Sequence, residues 1–96
     1  MTYYVYITSC ANLTLFYTGI TNNLVKRIYQ HKSKAVAGYA ARYNLDKLLY
    51  FEECNDPMVA IEREKQIKKY SQKKKIALII ENNPGMYDLY DQIIDE

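Results

Sequence analysis

Tyr3-Tyr4-Val5-Tyr6-Ile7-Thr8, then Leu15-Phe16-Tyr17-Thr18-Gly19-Ile20, then a helical run from Leu24 to Lys34: these three segments decide the fold. The first is built of β-branched and aromatic residues with no internal breaker, and both tyrosine-rich segments read as strands. The polar turn around Asn12 is short enough to join them as an antiparallel hairpin. Strand alternation then sets Tyr4 and Tyr6 on one face and Tyr3, Val5 and Ile7 on the other. Thr21 and Asn22 are suited to cap the helix that follows, with Leu24, Val25, Ile28 and Tyr29 as its apolar face. Arg27 and His31 lie four residues apart on one edge of that face, so a fixed cation and a titratable imidazole share one helical turn.

Downstream, Ala35 to Asn44 reads as a loop of small residues. Lys47 to Cys54 reads as a third strand around Leu48, Leu49, Tyr50 and Phe51. Asp56 followed by Pro57 is a strong helix start, for a helix reaching about Tyr70. Ser71 caps another, reaching about Glu81. Asn82 to Gly85 interrupts the chain before a short amphipathic segment containing Leu89, Tyr90, Ile93 and Ile94. The order β-β-α-β-α-α predicts a small α+β domain, with a three-stranded, mainly antiparallel sheet flanked by helices. Residues 1–81 form its body, and residues 82–96 are expected to form a short acidic helix packing on the same domain.

A chain of 96 residues supports one domain with a single modest core, and 49% hydrophobic against 25% charged residues is an ordinary globular balance. No apolar run approaches the length of a bilayer span, and the N-terminal residues lack the basic-then-apolar pattern of a secretory signal, so a cytoplasmic protein is expected. Cys10 and Cys54 stand alone, outside any metal-ligand spacing, and are expected to be reduced thiols. The net charge of +2 conceals an asymmetry. All 13 basic residues fall in residues 1–80, whereas residues 81–96 carry only acidic ones. Lys65, Lys68, Lys69, Lys73, Lys74 and Lys75 concentrate this charge, which suits a polyanionic partner such as nucleic acid.

Hydrolysing a phosphodiester needs a positioned water, an acceptor for its proton, and positive charge on the phosphoryl oxygens. Arg27 can supply the charge through a planar fork that matches phosphate oxygens. His31 can take a proton near neutral pH. Glu64 lies in line with Ala60 and Ile67 on the inward stripe of its helix, and suits either an ion pair with Lys68 or a metal.

The ordered set resembles the GIY-YIG nuclease superfamily, with Tyr4-Val5-Tyr6 in the place of Gly-Ile-Tyr and Tyr17-Thr18-Gly19 in that of Tyr-Ile-Gly. It is most similar to the branch of small, single-domain members. The resemblance implies a DNA endonuclease dependent on Mg2+ or Mn2+, serving repair or recombination, with a possible protein partner supplying specificity. It also implies a catalytic role for Arg27, a proton-handling role for His31, and metal binding by Glu64. Tyr17 would be the general base, with Tyr6 supporting it. The chain departs from the family at Tyr4, where glycine is usual, at Ile20, where lysine is common, and around Lys74-Lys75-Ile76-Ala77, where an asparagine often stands. Those departures motivate an alternative, a non-catalytic nucleic-acid-binding module that keeps the fold. A third reading is an interaction domain whose acidic tail docks on a basic partner or on the protein's own basic face.

Overall fold

β1 (Tyr3–Ser9) is the middle strand of a three-stranded sheet, flanked by β2 (Phe16–Thr21) and β3 (Lys47–Cys54), both antiparallel to it. The helices are α1 (Leu24–Ser33), α2 (Tyr39–Arg42), α3 (Pro57–Lys68), α4 (Gln72–Asn82) and α5 (Tyr90–Ile94). The computed structural model describes residues 1–94, so Asp95 and Glu96 of the acidic tail lie outside the described residues. The architecture is α+β, a wholly antiparallel sheet flanked by helices. Among the described residues, no helix is long and apolar enough to cross a membrane.

Alternation along β1 divides the core in two. Val5 and Ile7 meet Ala60 and Ile67 of α3 and Ile79 of α4, all of them fully buried. Tyr6 points the other way, onto Leu24 and Ile28 of α1 and Leu48 of β3. Each fully buried aliphatic side chain stabilises the fold by roughly 1.5–3 kcal/mol, so these contacts outweigh any single cap or surface ion pair. β3 serves both faces through a bulge. Its register passes from Ile7 opposite Tyr50 to Thr8 opposite Leu48, which leaves Leu49 as the extra residue. Leu49 and Tyr50 therefore both join the α3 and α4 side, while Leu48 and Phe51 face α1. The Leu49 carbonyl accepts a hydrogen bond from buried Asn83 Nδ2 at 3.0 Å.

Local sequence chemistry accounts for the helix starts. The Asp56 carboxylate accepts from Met58 N, and Ser71 Oγ accepts from Lys74 N. In α1 the cap is Asn23, one residue beyond the two expected, and its Oδ1 accepts from Lys26 N at 3.1 Å. Thr21 is engaged instead with the backbone of Asn23, through bonds to its N and O. The apolar face of α1 is also narrower than its composition suggests: Leu24 and Ile28 are buried, but Val25 and Tyr29 are exposed. The expected loop from Ala35 to Asn44 holds the single-turn helix α2, and Cys10 and Cys54 are free thiols.

The chain after α4 returns to the α1 side of the sheet. Asp88 accepts hydrogen bonds from Leu48 N and Tyr90 N and pairs with Lys32 Nζ at 2.5 Å. Leu89 N donates to Leu48 O at 2.8 Å. Leu89, Tyr90 and Ile93 then rest on the cluster of Tyr6, Leu24, Ile28 and Leu48. Within the described residues the tail thus docks on α1 and β3, and the lysine-rich helices α3 and α4 are not its seat.

Candidate active site

Tyr6 is the pivot of the candidate site. It leaves the middle strand toward α1, with 1% of its surface exposed, and its Oη lies 2.9 Å from His31 Nε2. Tyr17, from the neighbouring strand, completes an aromatic triangle. Ring centroids are 6.2 Å apart for Tyr6 and Tyr17, 5.7 Å for Tyr6 and His31, and 5.4 Å for Tyr17 and His31. Gly19 stands opposite Tyr6 in the strand register and makes room for it. A Cβ there would fall 2.5 Å from Tyr6 Oη and 2.9 Å from Tyr17 Cε2.

Electrostatics assign these groups different protonation behaviour. Burial pushes the Tyr6 phenol well above its ordinary value, with Tyr17 and Glu64 adding to the rise and Arg27 opposing it. Tyr6 therefore keeps its proton, and its hydroxyl shares the hydrogen bond with His31 Nε2. His31 moves the other way: burial, then the Arg27 charge, hold its imidazole below 6.5, with Asp46 opposing. At neutral pH the pair is a protonated phenol holding an uncharged imidazole.

Arg27 lies beside them. With Tyr17, Gln30 and His31 it forms one wall of a hollow of about 100 Å³, whose other wall is the segment from Val36 to Ala41. Arg27 takes part in none of the ion pairs among the described residues, which are Lys32 with Asp88, Arg63 with Glu52, and Lys68 with Glu64. Tyr6, Tyr17, Arg27 and His31 are thus brought together. Glu64 is not part of the hollow's wall; α3 carries it, and its charge acts on Tyr6. Its side chain is 16% exposed and sits 3.6 Å from Lys68 Nζ. The six lysines stand apart from the hollow: Lys65, Lys68, Lys69, Lys73 and Lys74 are exposed on α3 and α4, and Lys75 is half-buried.

Among the described residues, no three His, Cys, Asp or Glu side chains converge as a ready-made metal cage. A hard divalent ion does not require one. Magnesium commonly takes one or two protein carboxylates and fills its other positions with water and substrate phosphate oxygens. Glu64 is a largely shielded carboxylate whose one ion-pair partner among the described residues is a half-exposed lysine at long range, so its donor chemistry fits such an ion.

A family model of the GIY-YIG catalytic domain matches residues 2–77. The chain belongs to the GIY-YIG family. This GIY-YIG chain is 39% identical over 92 residues to a UPF0213 protein of Desulfotalea psychrophila, covering 92% of this chain and 80% of that one. It is 43% identical over 76 residues to a UPF0213 protein of Clostridium perfringens, covering 79% and 81%. The solution NMR structure of a UPF0213 protein from Bacillus halodurans superimposes with a TM-score of 0.55 at 29% identity, covering 86% of this chain and 87% of that one. The GIY-YIG hairpin therefore supplies Tyr6 and Tyr17 from adjacent strands, and α1 supplies Arg27 and His31.

The sequence marks Val36–Ala41 only as part of a loop of small residues, and its place as a wall of the site is new from the structure. Its signal is a run of small residues interrupted by Tyr39, immediately after the helix that carries Arg27. Such a run carries no periodicity from which its position beside the site could be read.

Proposed function

We propose that this GIY-YIG domain is a divalent-metal-dependent DNA endonuclease that hydrolyses phosphodiester bonds, in repair or recombination. The observation that carries the reading is the Tyr6–His31 hydrogen bond beside an arginine that pairs with no carboxylate among the described residues. A half-buried imidazole bonded to a buried phenol, next to a guanidinium without a carboxylate partner among the described residues, is a costly arrangement for a surface that only binds. Tyr17 orients the attacking water. The proton passes to the Tyr6–His31 pair, which acts as one acceptor, with the charge ending on the imidazole. Arg27 donates to the phosphoryl oxygens as negative charge grows on them. Glu64, with substrate, would hold Mg2+ or Mn2+, which when bound supplies Lewis-acid stabilisation. The lysines of α3 and α4 hold backbone phosphates without reading sequence, so affinity should fall steeply as salt rises.

The test is incubation of the protein with supercoiled plasmid and branched DNA, in magnesium or in EDTA, alongside Glu64→Gln. Metal-dependent nicking that Glu64→Gln abolishes supports the nuclease. Salt-sensitive binding without cleavage by the folded wild type would instead identify a binding module.

The same assay carries a pH prediction. His31 accepts the proton only when uncharged, and its imidazole is held below 6.5. kcat/KM is expected to be level above neutral pH and to fall on an acid limb centred below 6.5. His31→Ala should flatten this acid limb. A limb centred above 6.5 would assign the proton to another group.

A further inference from the structure

The hollow beside Arg27 has a composition that phosphate binding does not explain. Donors for a phosphate account for only part of it: the wall across from Arg27 is Val36, Ala37, Gly38, Tyr39, Ala40 and Ala41, whose side chains are apolar apart from the Tyr39 hydroxyl. Val36 and Tyr39 are about half exposed, with side chains that would be better buried in a domain that had no use for them here. The wall is built rather than loose. Ala35 N bonds Gln30 O at 3.1 Å, Leu45 N bonds Ala40 O at 2.8 Å, and fully buried Leu45 anchors the far end. Gly38, at the turn into α2, has φ +143° and open space where a side chain would be, so glycine is required there by the backbone alone. The hollow, at about 100 Å³, is well below the several hundred typical of sites for whole small molecules.

We infer that this hollow receives one unpaired nucleobase of the strand whose phosphate Arg27 holds, with the base stacked on Tyr39. Three features select that occupant. The hollow opens directly on Arg27, so a bound phosphate and its adjoining base are one nucleotide apart. Its mixed walls, aromatic and aliphatic on one side and cationic on the other, match a flat apolar ring attached to an anion. Tyr39 in turn is backed by Tyr43 at a ring separation of 4.9 Å, and Arg42 lies over the Tyr43 ring at 5.5 Å, which braces a stacking platform. A base within a duplex is stacked on its neighbours and cannot enter. The domain is thereby selective for bulged, gapped or single-stranded DNA over continuous duplex. The inference rests on the nuclease reading for the position of the phosphate, but base capture itself needs no cleavage.

The test uses two duplexes of equal length, one fully paired and one with a single bulged 2-aminopurine, in EDTA so that neither is cut. Wild type should bind the bulged duplex about tenfold more tightly, within the roughly 5- to 150-fold that base stacking on an aromatic side chain typically contributes. The 2-aminopurine fluorescence should fall on binding. Tyr39→Phe should keep both effects, and Tyr39→Ala should bring the affinity ratio close to one and remove the quenching. Tyr39 is half exposed, so neither change threatens the fold. Equal affinities for wild type, or an undiminished preference in Tyr39→Ala, would overturn the inference. Repeating the assay in magnesium separates the two readings. A bulge preference without cleavage removes the nuclease and keeps the pocket, whereas cleavage without a bulge preference does the reverse.

Discussion

Arg27→Ala is expected to lower the rate of DNA cleavage by about 10²–10³-fold while leaving the fold intact. The size follows from the role: a preorganised donor aimed at developing charge acts in the transition state, and its removal appears in kcat. The preserved fold follows from the geometry. Arg27 is half-buried on α1, but among the described residues no ion pair ties it to another element, and the packing of α1 belongs to Leu24 and Ile28. A thermal melt should therefore coincide with wild type while single-turnover cleavage collapses. Arg27→Lys keeps the charge but loses the planar fork, so it should recover only a small part of the rate. Cleavage by Arg27→Ala within about threefold of wild type would remove the arginine from the mechanism, since that is less than one lost hydrogen bond to a charged group.

The second large effect is expected from the smallest substitution, Gly19→Ala. The added methyl would meet Tyr6 Oη at 2.5 Å, Tyr6 Cζ at 2.6 Å and Tyr17 Cε2 at 2.9 Å. A flexible chain end would swing away at little cost, but Tyr6 is a rigid ring, 1% exposed and bonded to His31. Overpacking of this kind typically costs about 1–3 kcal/mol. For a domain of this size each kcal/mol lowers Tm by roughly 4–8 °C. The substitution also strikes the chemistry, because any movement of Tyr6 that relieves the contact breaks the bond to Nε2. Activity measured well below Tm should then fall further than the loss of folded protein accounts for. A melt unchanged from wild type would mean that the sheet opens at Gly19 without strain.

These two residues differ in how far the sequence alone reveals them. The strand period of two sets Tyr4 and Tyr6 on one face of their strand without reference to any other part of the chain, and the helical period puts Arg27 one turn from His31. The Asp56-Pro57 and Ser71 starts are equally local, since a cap is satisfied by the backbone two or three residues on. Features fixed by distant residues left no such trace. Asn22 and Asn23 are equally good caps, and it is the engagement of Thr21 with the Asn23 backbone that distinguishes them. Leu48-Leu49-Tyr50-Phe51 is an unbroken apolar run, so nothing in it marks Leu49 as the bulged residue. Val25 and Tyr29 are legible as apolar but not as exposed; of that face only Leu24 and Ile28 enter the cluster around Tyr6 and Leu48. The bond between Tyr6 and His31 joins residues 25 apart, and that between Lys32 and Asp88 residues 56 apart. No periodicity spans such separations.

The docking of residues 88–93 bears on how the protein comes into being. On the ribosome these residues are made after the whole sheet, so for a time β3 presents Leu48 with its outer N–H and C=O bare and the Tyr6, Leu24 and Ile28 face uncovered. A naked strand edge beside an apolar surface is the arrangement on which neighbouring chains add strands. When Asp88 and Leu89 arrive, they take up both backbone groups of Leu48, and Leu89, Tyr90 and Ile93 cover the face. Residues 88–93 thus close this stretch of the strand edge, and a polypeptide stopped short of Asp88 would keep the sheet but leave Leu48 and the apolar face beside it open to a neighbour.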